Sequence, residues 1–362
     1  MKVHVSKSQL ADVLGHVERI VPARSSNPGL SLVRVRLAEE GLVFSGSNME
    51  IDIEATLRAD VEGDGEVAVP AQVFGQVVRA LPGDDVELEI VEREMGISSG
   101  SYATRLQLVD PAQAPTLDFG SEYTGQLPAK ELATIITNVR YATASAEYQA
   151  IFRGVKLELQ DGRTRAIASD GFRLAYHDLE SSSGLDEQLV LPARSAEELI
   201  RVLGEGEVEL GVAEGQLMVR NGGMRLNLKL MEGTFPDYER VIPSEFPVKV
   251  TTAAKPLAEA VSRVALMADR TTNNRVDLFV KDGLMQITAE GSYGRSQEAV
   301  PVQQEGSEPE IAVAFNARYL TDALTPLAAQ VRLALSRENS PTVMVDPEKP
   351  GYLAMVVPLR TS

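Results

Sequence analysis

Leu191–Val212, LPARSAEELIRVLGEGEVELGV, decides how the chain is read, because a helical pattern in it runs directly into a strand-like one. Ala196, Leu199, Ile200 and Leu203 fall at i, i+3, i+4 and i+7, which is the apolar stripe of an amphipathic helix. The same order returns as VPAQVFGQVVRALPGDDVELEI from Val69 and as FNARYLTDALTPLAAQVRLALS from Phe315. There the stripes are Phe74, Val77, Val78, Leu81 and Leu320, Ala323, Leu324, Leu327. Phe74 to Ala196 is 122 residues and Ala196 to Leu320 is 124, so the pattern has a period.

A second helix keeps the same period. Its stripes are Leu10, Val13, Leu14, Val17, then Leu132, Ile135, Ile136, Val139, then Leu257, Ala260, Val261, Val264. A turn marker recurs too: Glu40-Gly41, Asp161-Gly162 and Asp282-Gly283 each split two strand-like runs, with the glycines 121 apart. Each repeat opens on a short alternating strand carrying Val3 and Val5, Gln126 and Leu127, or Val248 and Val250. The two helices of a repeat lie about half a period apart, so each repeat reads as two similar halves. The expectation is α+β with antiparallel sheet and two helices in each of three repeated domains, 1–120, 121–246 and 247–362. Proline-bearing joints at 110–115 and 242–247 fall at those boundaries.

The 362 residues include no cysteine, which excludes disulfides, thiolate metal sites and cysteine nucleophiles. The histidines are His4, His16 and His177. No apolar run approaches the ~20 residues of a membrane span, and the N-terminus begins like a strand, so a soluble, cytoplasmic protein without a signal peptide is expected. No phosphate-cradling GxxxxGK[ST], GxGxxG, HExxH or GxSxG occurs. Asp170 and Asp237 stand beside glycine and after proline, where an aspartate forms turns more often than it does acid–base chemistry. These signs point to a non-catalytic protein without metal or cofactor.

The net charge of −17 opposes a polyanionic partner in sum, but not in distribution. The six helices carry ten Lys/Arg against seven Asp/Glu, which leaves −20 for the rest of the chain. A helical surface less hostile to phosphates than its surroundings is one reading; chance variation over six amphipathic helices is the other.

The three copies differ most in the slot after the turn strand. The first reads Ser47-Asn48-Met49-Glu50, the third Glu290-Gly291-Ser292-Tyr293, the middle Ser169-Asp170-Gly171-Phe172-Arg173-Leu174-Ala175. That last stretch, Phe235-Pro236-Asp237-Tyr238-Glu239-Arg240-Val241-Ile242-Pro243, the Arg24 turn and Val356-Val357-Pro358-Leu359-Arg360 carry a resemblance to the bacterial DNA polymerase III beta subunit family, over essentially the whole length. Phe172 stands where that family often carries histidine, and Thr361 and Ser362 follow Arg360.

The resemblance implies the DNA clamp fold, head-to-tail homodimerisation into a ring with helices lining the hole, and duplex DNA threaded through it without regard to sequence. The replicative polymerase's catalytic subunit, the clamp loader and repair proteins would bind through short peptide motifs. It places the peptide site at Phe152, Ser169, Gly171, Phe172, Arg173, Leu174, Pro236, Arg240, Val241, Thr342, Met355, Val357, Pro358 and Leu359. In that site Leu174, Val241, Met355, Val357, Pro358 and Leu359 would form an apolar floor, and Arg173 and Arg240 would bind peptide carbonyls or carboxylates. DNA contacts would fall among Arg24, Arg79, Arg140, Tyr148, Gln149, Arg194, Arg201, Arg263, Arg275 and Arg318, some of which would pair instead with Glu197 or other helix acids. The dimer contact would join Leu106 and Leu108 to Leu266 and Met267. Two other classes compete: an enzyme, which the missing motifs disfavour, and a non-catalytic structural repeat protein with a peptide groove.

Overall fold

The computed structural model describes residues 2–39, 41–145, 150–336, 340–348 and 350–360. The expected helices form as α1 (Lys7–Ile20), α2 (Ala71–Ala80), α3 (Ala129–Arg140), α4 (Ala193–Val202), α5 (Ala254–Val264) and α6 (Ala317–Leu324). Their apolar stripes are what they bury: Leu132, Ile135, Ile136 and Val139 have no exposed surface, and Leu10, Val17, Phe74, Ala196, Leu199, Ala260 and Val261 have none either. At roughly 1.5–3 kcal/mol for each large side chain, these stripes outweigh the weak intrinsic propensity of helices only 8 to 14 residues long. Among the described residues no helix is long and apolar enough to cross a membrane.

Two of the three turn markers are two-residue hairpins. Gln160 pairs with Arg163 around Asp161-Gly162, and Lys281 with Leu284 around Asp282-Gly283. All four turn residues have positive φ, which is the demand that selects Asp-Gly. The first copy differs. Ala38 pairs with Gly41, so the glycine opens the next strand instead of sitting in the turn. Its φ of 130° and the Leu57 carbonyl, 2.1 Å from where a Cβ would stand, explain why glycine is needed there too. Glu40 lies outside the described residues.

The chain forms two compact units. The first comprises Met1–Ala133, Ser183–Leu185 and Glu197–Leu230, the second Thr134–Ser182, Asp186–Ala196 and Met231–Ser362. Every named strand pairing in both is antiparallel. The first unit holds a five-stranded sheet that ends on Tyr102–Gln107 and an eight-stranded sheet in which Met224–Lys229 pairs with Ile51–Leu57. The second holds a four-stranded sheet that ends on Gly294–Pro301 and a nine-stranded sheet in which Arg173–Leu179 pairs with Tyr352–Val356. In each unit the larger sheet therefore joins strands from stretches of sequence more than 160 residues apart. Sequence periodicity alone does not reveal this pairing.

Candidate functional site

In the nine-stranded sheet the register sorts the candidate residues onto two faces, because directly opposed residues point the same way. Leu174, Met355 and Val343 form one row; Arg173, Val356 and Thr342 form the next, on the opposite face. The first row belongs to an apolar cluster with Ile167, Val190, Phe235, Tyr238 and Leu353, against which Phe152 packs. The second row faces α6.

The motif Phe235–Val241 lies over the first face, and its spacing has a physical cause. Phe235 packs edge-on to Phe152 at 5.5 Å between ring centroids, and Tyr238 is 6% exposed. The Tyr238 hydroxyl donates to Glu158 Oε2 at 3.1 Å and accepts from Arg165 Nη1 at 3.0 Å. Arg165 in turn pairs with Asp178 at 2.7 Å and lies over the Tyr176 ring at 4.0 Å, while Lys156 and Arg163 hold Glu158 at 2.7 and 3.1 Å. Burial pushes the Tyr238 phenol up to about 12, so it remains a neutral bridge between the two charged pairs. With Phe235 and Tyr238 anchored, the motif's other residues turn outward: Pro236, Arg240 and Val241 are exposed, and Arg240 pairs locally with Asp237 at 2.7 Å.

The loop Ser169–Arg173 is held by its own polar side chains. Asp170 Oδ1 accepts the amides of Phe172 and Arg173, both at 2.9 Å. The Ser169 hydroxyl donates to the Arg173 carbonyl at 2.9 Å and accepts the Gly171 amide at 3.2 Å, with Gly171 at φ 87°. Asp170 is thus a turn residue, as its glycine neighbour suggests. This cap leaves Phe172 54% exposed beside the buried Leu174. The Val357 amide donates to the Phe172 carbonyl at 2.9 Å, so the C-terminal strand end lies against the same loop, and the Leu359 amide donates to Ala314 on the strand Glu310–Asn316 at 2.7 Å. Thr361 and Ser362 lie outside the described residues.

Two candidates are placed otherwise than their proposed roles require. Arg173 is buried, donating to Asp170 at 3.0 Å and to Asp322 at 2.6 Å, with its guanidinium over Tyr319 at 4.4 Å. Thr342 is fully buried on the face away from Leu174, and its Oγ1 has no hydrogen-bond partner among the described residues. Asp322, Tyr319 and Tyr141, which contact Arg173, and Tyr352, which meets Tyr141, were not among the candidate residues. Tyr319 and Asp322 lie three apart on α6, whose pattern marks only its buried stripe, while Tyr141 follows α3 and Tyr352 lies on a strand.

Of the candidate phosphate contacts, Arg24, Arg79, Arg140, Arg194, Arg201, Arg263 and Arg318 are exposed, Arg275 is half-buried, and Tyr148 and Gln149 lie outside the described residues. Arg79 pairs with Glu18 at 2.5 Å, Arg201 with Glu197 at 2.7 Å, Arg263 with Glu298 at 2.6 Å and Arg275 with Asp277 at 2.6 Å. Of the proposed contact pair, Leu106 lies half-buried on the edge strand Tyr102–Gln107, with Leu108 just beyond it. Leu266 is 78% exposed, and Met267 lies close to Gly294, where the other edge strand begins. Among the described residues no cluster of His, Asp or Glu is arranged to hold a metal.

Residues 1–118, 126–237 and 239–360 match the models of the N-terminal, central and C-terminal domains of the DNA polymerase III beta subunit. The chain is 27% identical to the beta sliding clamp of Streptomyces coelicolor and 29% identical to that of Synechococcus elongatus, covering 100% of each and of itself. Among solved structures it resembles the Pseudomonas aeruginosa sliding clamp bound to griselimycin (TM-score 0.93, 26% identity) and the Bacillus subtilis clamp (TM-score 0.93, 25% identity), each covered at 100% in both chains. The period, the paired antiparallel sheets and these likenesses agree: the chain belongs to the bacterial DNA polymerase III beta subunit family, the beta sliding clamps, which are non-catalytic processivity factors of the replicative DNA polymerase.

Proposed function

We propose that two copies close head-to-tail into a cytoplasmic ring around duplex DNA. We further propose that each copy tethers the polymerase catalytic subunit, the clamp loader and repair proteins through short peptides at the Leu174–Met355 face. The observation that carries the ring is the pair of open strand edges, Tyr102–Gln107 in one unit and Gly294–Pro301 in the other. An exposed edge invites pairing with another chain, and a head-to-tail contact between these two uses both edges and closes. The units of three domains, 1–120, 121–246 and 247–362, then make six per ring.

Sequence-independent DNA contact fits arginines that are exposed yet largely shared with acids, since each can meet a phosphate but none reads a base. The peptide site combines a rigid apolar floor, Leu174 and Met355, with exposed Phe172 and Val241 at its sides. That composition suits leucine or phenylalanine anchors on a glutamine- and leucine-containing peptide. Arg240 is the cation left outward for the peptide's polar groups. Native mass measurement tests the ring: a particle of twice the 39.1 kDa chain mass is expected, and a particle of a single chain mass at micromolar concentration refutes it.

A further inference from the structure

Asp170 fixes the loop Ser169–Arg173 from within, and a second anchor reaches it from the opposite face of the sheet. Arg173, 8% exposed, donates through Nη1 to Asp322 Oδ2 on α6 at 2.6 Å, while its Nε goes to Asp170. Its guanidinium lies over Tyr319 at 4.4 Å and near Tyr141 at 5.4 Å. Below it the Tyr141 and Tyr352 hydroxyls meet at 2.8 Å, and the Tyr352 hydroxyl donates to the Ala323 carbonyl at 2.9 Å, which ties α6 to the strand Tyr352–Val356. The Arg173 backbone is the end of the loop that carries Phe172, and the Phe172 carbonyl receives the Val357 amide. Asp322 therefore sits beneath two walls of the peptide site while itself lying on the far face.

We propose that Asp322 is a positioning residue for the peptide site. It acts through Arg173 to hold Phe172 and the Val357 strand end in the binding geometry, and this proposal rests on the reading of that site as peptide-binding. Without Asp322, one donor of a buried guanidinium loses its acceptor. A buried cation stripped of its partner is costly, so the side chain moves toward water. The loop moves with it, since Arg173 and Phe172 are adjacent. Arg318 is the other cation near Asp322, at 3.7 Å, but it is 79% exposed and lies on α6 itself, so it cannot tie α6 to the loop as Arg173 does.

The chain contains no tryptophan, so Phe172→Trp places a single indole on the loop. Its anisotropy and acrylamide quenching report how firmly the loop is held. In the Phe172→Trp background, Asp322→Ala and the near-isosteric Asp322→Asn are compared for indole mobility and thermal midpoint. In the otherwise native chain, both are compared for affinity toward a fluorescent glutamine- and leucine-containing peptide. The expected result is a more mobile indole and an affinity about tenfold lower for Asp322→Ala, with a smaller loss for Asp322→Asn and a thermal midpoint lowered in the same order. A loss of helix stability alone would lower the midpoint and leave the indole fixed. An indole equally rigid in all variants, with peptide affinity unchanged, overturns the proposal. If the native chain binds no such peptide, the reading of the site falls, and indole mobility still decides whether Asp322 holds the loop.

Discussion

The Val357 amide donates to the Phe172 carbonyl at 2.9 Å, and in the other unit the Lys229 amide donates to the Glu50 carbonyl at the same distance. The repeat carries this bond to a third place. The 121-residue period aligns Tyr293 with Phe172 and Gly294 with Arg173. Leu108, whose amide reaches Arg93 at 2.8 Å, corresponds to Leu230, whose amide reaches Gly215 at 2.9 Å. Gln107 thus corresponds to Lys229, and its expected acceptor is Tyr293 of a second copy.

A register follows. Arg173 stands opposite Val356, and Ile51 opposite Leu228, so Gly294 should stand opposite Leu106 across the ring contact. This is a non-hydrogen-bonded antiparallel pair, with Cα atoms ~4.5 Å apart, which a disulfide can span. Gly294 itself has φ 141°, which a cysteine would strain, so the next such pair along, Ser296 opposite Thr104, carries the test. Because the chain has no cysteine, Thr104→Cys with Ser296→Cys should cross-link copies quantitatively under mild oxidation. Arg105→Cys with Ser296→Cys, slipped by one residue onto the opposite face, should not. Equal cross-linking of both pairs sinks the register. Leu266→Asp with Met267→Asp should leave monomers in sedimentation; an unchanged dimer removes these residues from the contact.

The proposed peptide site should separate into residues that support the fold and residues that bind. Leu174 is 2% exposed, so Leu174→Ala should lower stability by ~2–5 kcal/mol. Val241 and Phe172 are about half exposed, and Val241→Ala or Phe172→Ala should change stability by less than ~1 kcal/mol while weakening peptide binding about tenfold or more. Calorimetry showing unaltered peptide affinity in the Phe172→Ala, Val241→Ala double variant, with the dimer intact, contradicts the site.

Tyr238→Phe removes one hydroxyl that serves both Arg165 and Glu158. Leaving both charged groups short of a partner should cost ~1–3 kcal/mol in denaturant midpoint. Proteolysis within 231–246 should rise with it, because Tyr238 fixes that segment to the sheet. A variant as stable as the native chain refutes this role for the bridge.

Burial lowers the pKa of His177, whose Nδ1 meets Asn138 Nδ2 at 2.9 Å beside the Tyr352 ring; nearby Asp178 opposes the shift. An amide nitrogen donates, so the ring accepts and is neutral. A depressed folded pKa contributes stability above the unfolded value of 6.5 that is lost as pH falls through and below it. Between pH 7.5 and 5 the thermal midpoint should therefore fall more for the native chain than for His177→Gln. Parallel pH profiles for the two count against the account. His16, likewise lowered by burial, remains in both chains and cancels in the comparison.

Helix positions, repeat order and the Asp-Gly hairpins were legible because each is written in local spacing: three stripes at the same interval and two turns with the required backbone signs. The pairing of Arg173–Leu179 with Tyr352–Val356 was not, since two strands so far apart in sequence leave no periodic trace. The exposed members of the proposed peptide site, Phe172 and Val241, stood in recognisable motifs. The resemblance offered Arg173 as a peptide contact, but its guanidinium turns to the opposite face of the sheet. Which face it takes depends on the register, and its partner Asp322 lies on a helix whose pattern announces only its buried side. Likewise Phe235 and Tyr238 were recognisable only as motif letters until their contacts showed them to be the anchors that turn Pro236, Arg240 and Val241 outward.

The central claim is that the ring holds DNA by enclosure. The partly neutralised arginines should give open binding a weak affinity that falls with salt, at a slope of about −0.9 in log K per phosphate contacted. The most direct measurement loads the protein onto nicked circular duplex with its clamp loader, raises the salt well above physiological, and then cuts the circle once. The account predicts retention on the closed circle through the salt step and rapid loss after linearisation. Equal loss from circular and linear DNA in high salt, or equal retention on both, contradicts it.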